Sequence, residues 1–90
     1  MADDPVVHEL REEISAGDRA IVAALNRRIE LVERLRRHKE SRGIAFVDPD
    51  RERRMHEDLA GANIGPLSAE GLREIFQAIL DLTKREVQRL

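Results

Sequence analysis

Three cations, Arg11, Arg28 and Lys39, are the residues of this chain whose types and spacing could do chemistry. Apolar or small residues recur at Leu10, Ile14, Gly17, Ile21, Ala24, Leu25, Val32 and Leu35, in steps of three and four that line one side of a helix. Arg28 and Lys39 fall on the same line, about three turns apart, with Val32 and Leu35 between them. A cation on an apolar stripe is costly unless an anion meets it. The anions on offer are Asp48, Glu52 and a bound ligand. Arg11 also has a plainer reading, an ion pair with a Glu of its own surface. Arg11 and Arg28 are roughly 25 Å apart along a helix, so one helix cannot aim both at one small molecule. Two antiparallel copies can, because the Arg11 end of one then lies beside the Arg28–Lys39 region of the other. Such a composite pocket suits a small dianion with two carboxylates, each gripped by paired guanidinium hydrogen bonds.

The element that must carry these cations is long. Pro5 to about Arg42 reads as one helix of roughly 54 Å. A compact globule of 90 residues has a radius of gyration of about 12 Å. The helix therefore overhangs any core its own chain can build, and its stripe must be covered, most simply by a second copy. An obligate homodimer is expected. Composition agrees with a single helical domain over residues 1–90. Charged residues make up 38% and aromatics 2%, with no Trp or Tyr, which leaves little to build a sheet from. The net charge of −2 and pI near 5.9 argue against nucleic acid as a partner. With no cysteine there is no disulfide, thiolate nucleophile or Cys-based zinc site. No apolar run is long enough for a membrane span or a signal-peptide core, so a soluble, cytoplasmic chain is expected.

Taken in order, Met1 to Asp4 reads as a frayed polar lead-in. Gly17 weakens the long helix by ~1 kcal/mol relative to Ala; it is either a tolerated surface weakness or the site of a close helix crossing. The basic run Leu35-Arg36-Arg37-His38-Lys39 is interleaved with Glu30, Glu33 and Glu40, which marks most of it as a solvated face. Gly43 is the left-handed residue that ends the helix. After an apolar connector, Asp48 caps a second helix with Pro49 at its first position, running to about Ala62. Only Met55, Leu59 and Ala62 of that helix are expected to face a core. Ser68 caps a third helix whose inner face is Leu72, Ile75, Phe76, Ile79, Leu80, Thr83, Val87 and Leu90. His8, His38 and His56 lack metal-ligand spacing and fall on faces expected to be exposed.

The stretch Leu10-Arg11-Glu12-Glu13-Ile14-Ser15-Ala16, with Asp18, Arg28 and Lys39, resembles the all-helical (AroQ-type) chorismate mutases. So do Asp48-Pro49-Asp50-Arg51-Glu52-Arg53 and Ile75-Phe76-Gln77-Ala78-Ile79-Leu80, so the likeness covers nearly the whole chain. The resemblance implies an intertwined all-α homodimer, three helices per chain in a long–short–long plan, with two sites converting chorismate to prephenate in the shikimate pathway of aromatic amino acid biosynthesis. It implies that Arg28, Lys39, Asp48, Arg51, Glu52 and Thr83 come from one chain and Arg11 from the other. Arg11 and Arg28 would hold the two carboxylates. Lys39 would contact a carboxylate and the ether oxygen, and Glu52 with the Asp48 region the ring hydroxyl. Thr83 would help a carboxylate, and Arg51 would orient Glu52. Gly17 departs from the family, where a larger apolar residue is usual. A second departure falls on Val87, where the family has a Gln or Glu at the ether oxygen, while Gln88 lies one residue on, rotated by about 100°. Either the last helix is locally re-registered or the ether oxygen loses a partner.

The chemistry suits these residue types. A Claisen rearrangement breaks one C–O bond as a C–C bond forms within one molecule, and needs no acid, base, nucleophile, metal or cofactor. Holding the reactive conformer and placing a cation at the ether oxygen is what helps. Three other readings stand beside it: a 4-amino-4-deoxychorismate mutase, an isochorismate pyruvate lyase, and a non-catalytic helical dimer that regulates another enzyme. Val87 also leaves open an enzyme that depends on an activating shikimate-pathway partner.

Overall fold

Each helix begins on a side chain that supplies hydrogen bonds its first turn lacks. A computed structural model describes residues 4–90 of the chain, in three helices. Helix α1, Pro5–Ser41, starts at Asp4, whose carboxylate accepts from the Val6 and Val7 backbone N–H groups at 2.9 and 3.4 Å. Asp4 is thus a cap rather than part of a frayed lead-in; the rest of that lead-in, Met1 to Asp3, lies outside the described residues. Helix α2, Pro49–Ala62, is capped by Asp48 through the Arg51 N–H, and α3, Ala69–Gln88, by Ser68 through the Gly71 N–H. Proline occupies the first position of α1 and α2, where its missing N–H costs nothing.

The end of α1 is as well defined as its start. Gly43 has φ +66°, and its N–H donates to the Glu40 carbonyl at 3.3 Å while the Ile44 N–H donates to the Lys39 carbonyl at 2.9 Å. This pair of bonds is the Schellman closure, which requires the left-handed region that glycine enters without strain. The closure matters for function, because it folds Ala45 to Val47 back over the last turn of α1. It sets the Phe46 carbonyl 3.4 Å from Lys39 Nζ and the Phe46 ring 6.0 Å from the same ammonium.

Helix α3 is the common neighbour: its backbone packs against both α1 and α2, whose own backbones do not pack on each other. The buried set is small, namely Leu80, Thr83 and Val87 on α3 and Glu33 on α1. On α1 the covered residues are Leu25, Arg28, Ile29, Val32, Glu33, Arg36 and Lys39. The intrachain face thus takes Leu25, Arg28, Val32 and Lys39 from the stripe read from the sequence and adds Ile29, Glu33 and Arg36 beside it, while Leu35 stays exposed. The first half of that stripe is bare. Every residue from Asp4 to Ala24 is exposed, including Leu10, Ile14 and Ile21. Ile75 and Leu90, expected on the inner face of α3, are exposed too, as is Ala62 on α2, where Glu52 and His56 take half-buried places instead. Among the described residues, nothing beyond its own helix lies within 4 Å of where a Cβ on Gly17 would stand, so no helix crossing is made there within the described chain.

The result is a rod and a buttress. The described chain measures 64 × 28 × 16 Å with a radius of gyration of 17.5 Å, against about 12 Å for a compact fold of this length. Substituting Gly43→Ala forces a Cβ into the left-handed region and should lower the unfolding free energy by about 1 kcal/mol. Urea denaturation of the two proteins side by side measures it, and an unchanged midpoint would mean that the closure contributes little.

Candidate active site

Stripes from all three helices meet in one cleft of about 630 Å³. From α1 come Arg28, Val32, Leu35 and Lys39; from α3 come Leu80, Thr83, Lys84, Val87 and Gln88. The connector and the first turns of α2 supply Phe46, Asp48, Arg51, Glu52 and Met55. Steps of three and four on each helix put these residues on one face apiece, which is how a sequence with no local cluster builds a shared wall. Of the residues proposed from the sequence, Arg28, Lys39, Asp48, Arg51, Glu52, Thr83 and Val87 all line the cleft. Arg11 does not. It stands on the bare half of α1, exposed to solvent.

Arg28 is the centre of the charge arrangement. Its Nη1 donates to the Thr83 hydroxyl at 2.7 Å and its Nη2 approaches the Met55 sulfur at 3.7 Å. No carboxylate among the described residues pairs with it. Burial first, and then the positive charge of Arg51, push the Arg28 guanidinium below its ordinary value; arginine stays protonated nonetheless, so the site holds a half-buried cation short of an anion. The Thr83 hydroxyl donates its single proton to the Ile79 carbonyl at 2.7 Å. The hydroxyl thus sits between that carbonyl and the Arg28 guanidinium. Lys39 likewise has no carboxylate partner among the described residues, and its ammonium meets the Phe46 carbonyl and ring.

The two carboxylates of the cleft are, by contrast, matched. Asp48 Oδ2 is 3.3 Å from Arg54 Nη2, and Glu52 Oε1 is 2.6 Å from Lys84 Nζ. Glu52 is thus held by Lys84 and not by Arg51, the partner expected from the sequence. Lys84 carries no sequence signal, since it sits one residue past Thr83 and off the apolar stripe. Helix α3 is regular α-helix through Gln88, so it is not re-registered around Val87. Val87 is 2% exposed and faces inward, and Gln88 lies beside it at the rim.

Glu33 corrects a second expectation. It belongs not to a solvated face but to a covered one, 6% exposed, because its own arginines fold over it. Arg36 grips it through Nε and Nη2 at 2.9 and 2.8 Å, and Arg37 Nε adds a third bond at 2.8 Å. The Arg36 hydrogen bonds, supported by Arg37, pull the Glu33 carboxyl down to about 2. Arg36 is spent in this way, with Nη1 on Glu40 at 3.1 Å, and presents its stem rather than a free charge to the cleft.

The family model described as chorismate mutase type II matches residues 10–88. The chain belongs to the type II chorismate mutases. The chorismate mutase (form II) of Thermus thermophilus has the same fold with a TM-score of 0.84 at 30% identity, covering 92% of this chain and 94% of that one. Form I of the Thermus thermophilus chorismate mutase gives 0.81 at 31% identity, over 86% and 96%. No curated protein sequence matches the chain. Membership in the chorismate mutases brings a chorismate mutase function and makes the chain an enzyme, an isomerase. The all-α, three-helix fold implied by the resemblance is the one observed.

The Glu33 cluster gives a pH prediction. A carboxyl lowered from 4.5 to about 2 on folding adds stability that is fully present above pH 4.5 and is lost as pH falls toward 2. Glu33→Gln should therefore lower Tm at pH 6, with the gap to wild type closing between pH 4.5 and 2.5. A gap that stays constant over that window would show that the arginines do not hold the carboxylate ionised.

Proposed function

We propose that two copies of the chain build each chorismate mutase site together and convert chorismate to prephenate by holding it, folded, against fixed positive charge. Arg28 takes one substrate carboxylate, and Arg11 of the partner subunit takes the other. Lys39 lies at the ether oxygen, where negative charge develops as the C–O bond breaks. The ring hydroxyl goes to Glu52 at the Asp48 end of the cleft. Thr83 keeps Arg28 in line, and Arg51 adds to the positive field. No proton moves and no covalent intermediate forms, so the residues act by shape and by charge already in place. A cytoplasmic setting belongs to the same proposal.

The observation that carries this reading is the Arg28 guanidinium, half-buried beside Arg51 and bonded to a hydroxyl and a thioether where a carboxylate would be expected. A dianionic guest relieves that imbalance. Chorismate mutases of this type typically act as dimers on a small substrate, and the bare stripe on α1 is where a second copy would lie. The proposal leaves the ether oxygen with Lys39 alone, because Val87 has no donor to give.

A chorismate-disappearance assay tests it with two variants. Arg28→Ala should lower kcat/KM by about a hundredfold or more, the usual scale for one charged donor in a dry site. Val87→Gln should raise kcat about tenfold by restoring a donor to the ether oxygen. Inertness of the wild type toward chorismate would sink the reading; an unchanged or lower kcat in Val87→Gln would remove the ether-oxygen account alone.

A further inference from the structure

The cleft sorts its charges into two ends. Toward Arg28 and Lys39 the cations have no carboxylate partners among the described residues, and Arg51 stands near enough to Arg28 to repel it. Toward the start of α2 each carboxylate already has a cation of its own, Asp48 with Arg54 and Glu52 with Lys84. The pocket therefore offers unmatched positive charge to a guest and no unmatched negative charge. We infer that Lys84 is a specificity-determining residue: by matching Glu52, it tunes the ring end of the cleft for a neutral hydroxyl and against an ammonium.

The inference rests on the function proposed above and names a feature of the substrate that function takes. Lys84 Nζ lies 2.6 Å from Oε1 of Glu52. An ionised carboxylate can accept at both oxygens, each with more than one lone pair, so a ring hydroxyl can still donate to a carboxylate that already holds an ammonium. An ammonium at that place would gain the same carboxylate but would stand beside the Lys84 ammonium, with both charges drawn to one anion. Like-charge repulsion of this kind is how a site rejects a close analogue while keeping its attraction for the preferred ligand. In the single chain the pair is partly open to solvent, with the Lys84 and Glu52 side chains 55% and 37% exposed. A ligand and a second subunit that exclude water would strengthen both the pairing and the repulsion.

Position on α3 explains why this residue can do it. Thr83 points inward to Arg28, and one residue later the helix has turned by about 100°, which swings Lys84 toward α2. Lys84 thus acts in two ways, by holding Glu52 and by placing its own charge beside the ring substituent.

The test uses the intact protein, with chorismate as substrate and 4-amino-4-deoxychorismate as competitor. Wild type, Lys84→Met and Lys84→Arg are compared by the ratio of the competitor's Ki to the KM for chorismate. Lys84→Met should lower that ratio by about tenfold, favouring the amino compound, while Lys84→Arg keeps the wild-type ratio. A merely structural role would weaken both ligands together and leave the ratio unmoved, and that outcome in Lys84→Met overturns the assignment. Wild type active on chorismate with an unmoved ratio removes Lys84 alone; wild type inert toward chorismate removes the functional reading and this inference with it.

Discussion

A helix too long for its own chain is the constraint from which the rest follows. Helix α1 runs for 37 residues, and α3 covers only its second half. The first half carries Leu10, Ile14 and Ile21 into solvent, a contiguous apolar stripe of the kind that soluble proteins rarely leave open. The same overhang takes Arg11 far from the cleft its residue type would serve. Covering the stripe and completing the pocket are, on the function proposed above, one requirement that a second copy lying antiparallel would meet. A small buried core of Leu80, Val87 and Thr83 fits this, because a chain whose stability comes partly from a partner need not build a large core alone.

Charge in the cleft is arranged by pairing and by its absence. Carboxylates that could have neutralised Arg28 are committed elsewhere: Glu33 to Arg36 and Arg37, Asp48 to Arg54, Glu52 to Lys84. The commitment of Glu33 also withdraws Arg36, which otherwise would add another free cation to the wall. What remains without a carboxylate partner in the cleft, among the described residues, is two guanidiniums, Arg28 and Arg51, and one ammonium, Lys39 beside Phe46. Two features of local chain chemistry hold Arg28 and Lys39 there. The Thr83 hydroxyl, tied to Ile79, fixes Arg28, and the left-handed turn at Gly43 lays the connector against Lys39. Preorganised charge of this sort suits a rearrangement in which one bond breaks as another forms within a single molecule and no proton is transferred.

How much of this could be read from residues alone depended on range. Helix ends at Gly43, Asp48 and Ser68 were readable because capping is settled within three or four residues. Asp4 obeys the same rule, but the polar residues before it hide it in the sequence. The Arg28–Lys39 stripe is readable from periodicity, and the residue types along it point to a dianion without any knowledge of contacts. Pairings across helices were not readable. Arg28 meets Thr83 across 55 positions, and Glu52 meets Lys84 only because α2 and α3 present those two faces to each other. Glu33 shows the intermediate case: its spacing to Arg36 and Arg37 was plain, but its burial depended on both arginines folding over it at once.

The central claim is that each site draws on two chains, and subunit mixing tests it most directly. If so, Arg11→Ala and Lys39→Ala should each disable every site of their own homodimer. In a mixed dimer one site collects both damaged residues and the other collects neither. Random pairing of equal amounts should then restore about one quarter of wild-type activity from two inactive proteins. A mixture no more active than the sum of its parts, under conditions where subunits demonstrably exchange, would contradict the account.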